Sequence, residues 1–145
     1  MLQRKLSFIL FLTFCTVTAF AQNKDAVVGK WLSANTEGQI EIYKRADKYF
    51  GKLSWIKEPN DEKGKPKVDA KNPNPSLKNK PILGLEILKD FIFEDGKWTD
   101  GTIYDPQTGK TYSCNLTLKE NGQLNIRGYI GISLIGRSET WKRVK

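Results

Sequence analysis

Two stretches of the sequence determine the fold class. Residues 98–112 read W-T-D-G-T-I-Y-D-P-Q-T-G-K-T-Y, and residues 127–141 read R-G-Y-I-G-I-S-L-I-G-R-S-E-T-W. Gly, Asp-Pro and Thr-Gly-Lys are turn-forming sequences, and the residues between them alternate between apolar and polar side chains. This pattern predicts a β-meander, in which consecutive antiparallel strands are joined by short turns.

The same alternation extends over most of the chain. Strands are predicted at residues 27–32, 38–44, 48–56, 84–88, 91–93, 101–104, 111–119, 124–129 and 138–144. In the third of these, Leu53 and Trp55 are expected to share one face, because side chains alternate along a strand. About eight short strands at this spacing are typical of an antiparallel barrel or sandwich. Parallel α/β folds are excluded because no helix-length amphipathic stretch follows residue 21 to connect parallel strands.

The first 21 residues have the features of a secretory signal peptide. Arg4 and Lys5 give a positive start, residues 6–14 are apolar, and Ala19-Phe20-Ala21 is a small-residue cleavage site. The apolar stretch is shorter than the roughly 20 residues that a membrane-spanning helix needs. We therefore expect residues 1–21 to be removed. The mature chain, residues 22–145, is then a single domain without a transmembrane segment, in the periplasm or secreted.

The mature chain is basic and contains one cysteine. Loss of Arg4 and Lys5 lowers the formal net charge from +8 to +6. Cys114 cannot form an internal disulfide, and we expect it to be a buried apolar residue. The scattered lysines indicate a solvated surface, with attraction to an anionic envelope component (phospholipid, lipopolysaccharide or acidic glycan) as the alternative. Nucleic acid is not an expected partner, because no recognisable nucleic-acid-binding module is present.

A long polar segment interrupts the strands at residues 57–81. It contains five of the six prolines and seven lysines, but no aromatic residue. Connections longer than about 12–15 residues are usually functional or disordered. We expect Asn72 and Asn79 either to lock this segment through hydrogen bonds or to face a ligand as part of a flap.

Six motifs spread over residues 27–144 carry a family resemblance. They are Gly29-x-Trp31, Gly38-x-Ile40-x-Ile42, Asp69-x-x-Asn72-Pro73, Pro81-Ile82-Leu83-Gly84-Leu85, the block 98–112, and Arg127-Gly128-Tyr129 continued by Gly136-Arg137 and Trp141. With these motifs the chain resembles a family of secreted bacterial proteins designated domain of unknown function 2147 (DUF2147). The resemblance implies a small exported β domain with no established activity or cofactor.

A looser similarity is to lipocalin-like (calycin) barrels, which have Gly-x-Trp on the first strand and a basic residue packed across the indole. Gly29 and Trp31 match this pattern. Either Arg137 or Arg143 could supply the basic residue, and for Arg137 we favour a structural contact with Trp31 or Trp141, both expected in the core of the barrel. The expected fold is all-β, a single antiparallel lipocalin-like barrel of about eight strands with one long Pro/Lys/Asn-rich loop. Such a similarity does not establish a function.

The composition excludes several classes of enzyme. There is no histidine, so no imidazole base or His-based metal site is available, and Cys114 has no cysteine partner for zinc or redox chemistry. Accordingly, no catalytic, metal or cofactor residue is assigned. Paired carboxylates at Asp100, Asp105 and Glu86 would be compatible with glycan hydrolysis. We favour a turn-forming role for the two aspartates, because they precede Gly101 and Pro106.

The favoured hypothesis is an exported, non-catalytic protein that binds a small amphipathic or lipid-like ligand. An eight-stranded barrel is at the size where the interior is either filled by side chains or able to hold one small ligand. The predicted ligand-binding residues are Trp55, Trp98, Tyr104, Arg127, Asn72 and Asn79, with residues 57–81 as a flap. Alternatives are a module that docks on envelope glycan or protein through the basic loop and, ranked last, the carboxylate-dependent glycan hydrolase.

Overall fold

The computed structural model describes residues 23–132 and 134–145 as a closed antiparallel barrel. The predicted signal peptide, residues 1–21, lies outside the described residues. The eight strands are β1 Gly29–Leu32, β2 Gly38–Arg45, β3 Lys48–Ile56, β4 Glu86–Glu94, β5 Lys97–Asp105, β6 Lys110–Leu118, β7 Leu124–Tyr129 and β8 Gly136–Arg143. Each strand pairs with the next, and β8 pairs back with β1. The predicted all-β barrel is confirmed.

The observed strand boundaries differ from the predicted ones where the backbone is locally irregular. The segments predicted at 84–88 and 91–93 merge into one strand, β4, which begins at Glu86. β4 carries one extra residue at each of two register shifts opposite β3 and has a positive φ of 64° at Asp90. Such a bulge bends a strand without ending it. β4 and β5 are joined by the two-residue turn Asp95-Gly96, where both φ angles are positive, as in a hairpin turn of type I′.

One end of the barrel is closed by the residues that precede β1. The indole Nε1 of Trp31 donates to the Val27 carbonyl at 2.8 Å, and that of Trp98 donates to the Lys24 carbonyl at 2.9 Å. The hydroxyl of Tyr49 donates to Asp25 Oδ1 at 2.6 Å. Apolar side chains fill the barrel above this plug, among them the fully buried Cys114, which confirms its prediction.

An arginine covers the outside of this closed end. The guanidinium of Arg143 lies 4.1 Å from the ring centroid of Trp31 and donates to the carbonyls of Val28 and Ala26. Gly29 allows this approach, because a Cβ at that position would lie 2.8 Å from Arg143 Nη1. The expected Gly-x-Trp arrangement is therefore present with Arg143 as the basic partner. Arg143 was one of the two candidates for this role. The favoured contact of Arg137 with Trp31 or Trp141 is wrong, because Arg137 lies at the other end of β8.

Candidate ligand cavity

The opposite half of the barrel is hollow. A cavity of about 1150 Å³ opens among the connections that follow β1, β3, β5 and β7, which meet at the same end of an up-and-down barrel. Its inner wall is mainly aliphatic and includes Ile40, Leu53, Ile56, Ile82, Ile87, Ile103 and Ile126. Polar and charged side chains from the connections and strand ends, among them Glu37, Lys57, Glu58, Lys67 and Asp105, also border the cavity. The interior is thus packed near the plug and empty near the opening.

The last strand contributes two charged groups to this apolar wall. Between residues 137 and 141, every second side chain of β8 points into the barrel, and these are Arg137, Glu139 and Trp141. Their partners in β7 are Gly128, Ile126 and Leu124, respectively. Arg137 is exposed near the opening, Glu139 is half-buried below it, and Trp141 is buried at the bottom. Glu139 Oε1 accepts a 2.5 Å hydrogen bond from Trp141 Nε1.

Because of this arrangement, the chemical character of the cavity wall changes from the bottom to the opening. A molecule inside meets aliphatic surface along the inner wall and the Glu139 carboxylate part-way down. Near the opening it meets charged groups of both signs, among them the Arg137 guanidinium. An arginine can donate two parallel hydrogen bonds to a carboxylate or phosphate, whereas a carboxylate accepts from hydroxyl or ammonium groups. The wall is therefore suited to a ligand that has an apolar body and a polar end.

A buried carboxylate fixes the long segment 57–81 to the barrel. Asp69 is fully buried and accepts from the Tyr104 hydroxyl at 2.7 Å and from Asn72 Nδ2 at 2.8 Å. Asn72 Oδ1 in turn accepts from the Asn74 amide at 2.9 Å. Burial, together with the hydrogen bond to Asp69, raises the pKa of Tyr104 to about 12. Asn72 therefore takes the locking role, one of the two roles expected for it.

Backbone contacts strengthen this anchor. The amide of Asp69 donates to the Lys80 carbonyl at 2.8 Å, and the amide of Ile82 donates to the Lys67 carbonyl at 3.0 Å. Gly109, with φ of 73°, lies so close to the Lys71 carbonyl that a Cβ would collide with it. The segment is thus held against the β5–β6 turn. Asn79 is exposed to solvent.

The predicted ligand-binding residues do not form one cluster. Tyr104 borders the cavity, but Trp98 is fully buried at the closed end. Arg127 lies on the outer face of β7, where it donates to Ser138 Oγ at 3.2 Å. Arg127 alternates with the buried Leu124 and Ile126 along β7, so its side chain lies on the opposite face of the strand. The expectation that Trp98 and Arg127 line the opening is therefore wrong.

Trp55 is displaced from the interior by a β-bulge. Ile40 of β2 pairs with Leu53, but Gln39 pairs with Trp55, so Ser54 is an extra residue in β3. Because one extra residue inverts the alternation, Trp55 points outward with 41% of its surface exposed, and Ile56 lines the cavity instead. The expectation that Trp55 shares a face with Leu53 is wrong for this reason.

The three candidate carboxylates also lie apart. Glu86 is on the outer face of β4 and accepts from the Tyr43 hydroxyl and from Arg45. Asp100 is exposed at a bulge of β5, with a positive φ of 58°. Asp105 borders the cavity, but its two oxygens accept from the Gln107 amide and the Thr108 hydroxyl of the following turn. The turn-forming interpretation is confirmed for Asp105, and the three acids form no common site.

Three features of the site were not predicted from the sequence. They are the buried carboxylate of Asp69 and the positions of Glu139 and Arg137 in the cavity wall. A signal for Glu139 was present, because Arg137, Glu139 and Trp141 alternate in the last strand and Trp141 was expected in the core. Asp69 lies in the Asp69-x-x-Asn72 motif, where a buried acid is not apparent from spacing alone. Among the described residues, no group of three His, Cys, Asp or Glu side chains is placed to hold a metal ion.

Comparison with known proteins places this barrel in a family. Residues 29–143 match the family model described as an uncharacterized protein conserved in bacteria, DUF2147. The chain belongs to this family. This confirms the resemblance drawn from the sequence motifs.

The fold is also similar to that of a solved structure. Protein HP1028 from the human pathogen Helicobacter pylori, described as belonging to the lipocalin family, superimposes with a TM-score of 0.71 at 23% sequence identity. The match covers 81% of this chain and 82% of that one. The similarity shows a lipocalin-like fold. No curated protein gives a significant sequence match. Within residues 23–132 and 134–145, no helix has the length and apolar character needed to cross a bilayer.

Proposed function

We propose that this protein is an exported, non-catalytic binding protein that holds a small amphipathic or lipid-like ligand in the cell envelope. The observation that carries the proposal is the cavity of about 1150 Å³ with an aliphatic inner wall, into which Arg137 and Glu139 of β8 face. Small-molecule sites are typically concave, mostly apolar and furnished with a few polar groups that set orientation. A lipocalin-like fold fits ligand binding in general, and the chemistry of the wall supports an amphipathic ligand.

The wall chemistry favours a ligand that enters with its apolar part first. Burying apolar surface contributes about 25 cal/mol per Å², so the aliphatic wall supplies most of the affinity. The polar end then lies near the opening, within reach of Arg137 and Glu139. Arg137 favours a carboxylate or phosphate, and Glu139 favours a hydroxyl or ammonium group.

A cavity-filling substitution tests this proposal. Gly128 faces the cavity, and a Cβ there would make ordinary contacts of 3.8 Å with Ile103 and 3.9 Å with Tyr112. Gly128→Leu is therefore expected to fold and to occupy ligand space. The matched control is Ser113→Leu, which adds the same side chain at an exposed position of the neighbouring strand β6.

The assay is a titration of the mature chain with a dansyl-labelled fatty acid. Gly128→Leu is expected to weaken binding by about tenfold or more, equivalent to about 1.4 kcal/mol, and Ser113→Leu is expected to bind as the parent protein does. Absence of binding to fatty acids, long-chain amines and lysolipids by the parent protein would refute the proposal. Equal binding by the parent protein and Gly128→Leu would place the ligand outside the cavity.

Substitutions of Arg137 and Glu139 test whether the cavity prefers anionic or cationic ligands. Arg137→Gln is expected to weaken fatty-acid binding and to leave long-chain amine binding unchanged. Glu139→Gln keeps an acceptor for Trp141 Nε1 and is expected to weaken amine binding selectively. Identical effects of both substitutions on both ligands would show that neither charge contacts the polar end.

A further inference from the structure

Four large aliphatic side chains are exposed together at the open end of the barrel. Ile130, Ile132, Leu134 and Ile135, here called the apolar rim, belong to the β7–β8 connection and are between 58% and 85% exposed. Exposed apolar residues that occur singly need no explanation, but a contiguous group indicates an interaction site.

The cavity does not account for the whole apolar rim. Ile130 and Ile135 border the opening, whereas Ile132 and Leu134 are absent from the described cavity wall. Both of the latter residues are therefore available to a surface outside the barrel.

The long segment 57–81 at the same end of the barrel carries a net positive charge. The opening itself is lined by side chains of both signs, namely Lys57, Lys67, Arg137, Glu37, Glu58, Asp105 and Glu139. Lys67 forms an ion pair with Glu58 at 3.6 Å. The segment 57–81 contains seven lysines and four acidic residues, and one of those acids, Asp69, is buried. An excess of lysine at the same end as an exposed apolar tip is complementary to a surface that is anionic outside and apolar beneath.

We propose that the open end docks on an anionic phospholipid bilayer, with the apolar rim inserted at the boundary between head groups and acyl chains. The lysines of segment 57–81 attract the phosphate layer, and the four aliphatic side chains supply the apolar contact. The opening of the cavity then faces the membrane. Docking goes beyond the proposed ligand binding and does not require an occupied cavity.

Vesicle co-sedimentation of the mature chain tests this inference. We expect binding to vesicles of phosphatidylcholine with phosphatidylglycerol, weaker binding to phosphatidylcholine alone, and a loss of binding at high salt. The double substitution Ile132→Ser/Leu134→Ser is expected to reduce binding by about tenfold or more, because it removes two inserted aliphatic side chains. The matched control is Val28→Ser, which changes an aliphatic residue of 38% exposure beside the closed end.

A dye attached to the apolar rim reports whether the rim enters the membrane. Leu134→Cys offers an exposed thiol for an environment-sensitive dye, while Cys114 is buried and its pKa is raised to about 12 by desolvation, so it resists labelling. We expect a blue shift of the dye at position 134 on anionic vesicles, and none for the same dye on Val28→Cys.

Three results would overturn the inference. The first is no binding of the parent protein to anionic vesicles, and the second is unchanged binding by Ile132→Ser/Leu134→Ser. The third is a concentration-dependent blue shift at position 134 without vesicles, which would make the apolar rim a contact between two copies of the chain. Fatty-acid titrations of the same variants distinguish failure of docking from failure of ligand binding.

Discussion

Replacing Asp69 by alanine is expected to release the long segment 57–81 and to destabilise the protein strongly. The carboxylate is fully buried and accepts two side-chain hydrogen bonds, from Tyr104 at 2.7 Å and from Asn72 at 2.8 Å. A hydrogen bond to a charged group contributes about 1.5–3 kcal/mol. Because water at the cavity opening can replace part of the bond to Tyr104, we expect a loss near the lower limit, about 3 kcal/mol.

For a domain of this size, a loss of about 3 kcal/mol corresponds to a decrease in Tm of roughly 12 °C. Urea unfolding followed by tryptophan fluorescence measures the free energy. Amide hydrogen exchange at Asp69 and Ile82, which donate to the Lys80 and Lys67 carbonyls, reports the local release of the segment. Tyr104→Phe removes one of the two bonds and is expected to cost about half as much.

The matched control is Asp61→Ala in the same segment. Asp61 also accepts two hydrogen bonds, from the amides of Lys63 and Lys65, but it is exposed. Water replaces these partners, so we expect a loss below about 0.5 kcal/mol, as for most surface substitutions. Equal losses for Asp69→Ala and Asp61→Ala would refute the reasoning, because they would show that burial adds nothing to the lock.

Two further predictions concern the closed end and the tyrosines. Arg143→Ala is expected to destabilise the barrel by about 2 kcal/mol, since it removes the contact with Trp31 and two hydrogen bonds to backbone carbonyls. Arg143→Lys should restore less than half of this loss, and Lys142→Ala, a neighbour on the exposed face, should cost little in the same urea assay. The pKa values of three tyrosines are raised above 10, mainly by desolvation, and these are Tyr43, Tyr49 and Tyr104. Because the tyrosines of the unfolded chain ionise first, their contribution to stability should be fully present below pH 10 and be lost as the pH rises from 10 towards 12. Absorbance titration at 295 nm should show fewer late-ionising tyrosines in Tyr104→Phe. An unchanged profile would contradict the assignment.

Local sequence patterns were sufficient for the barrel. Alternation and turn residues predicted antiparallel strands, because both depend on neighbours along the chain. Gly29-x-Trp31 indicated a lipocalin-like first strand with a basic side chain packed on the indole, and the motifs along the chain identified the family. The burial of Cys114 also followed from strand parity.

The residues that line the open half of the barrel could be assigned only from the tertiary structure. One extra residue at Ser54 turns Trp55 outward and Ile56 inward, and alternation alone does not reveal such a bulge. The choice between Arg137 and Arg143 as the partner of Trp31 depends on where β8 meets β1 when the sheet closes. Likewise, the empty space beside Glu139 depends on how many side chains reach the open half of the barrel. Strand parity is local and was readable from the sequence, whereas register, closure and filling are properties of the whole sheet and were decided by the fold.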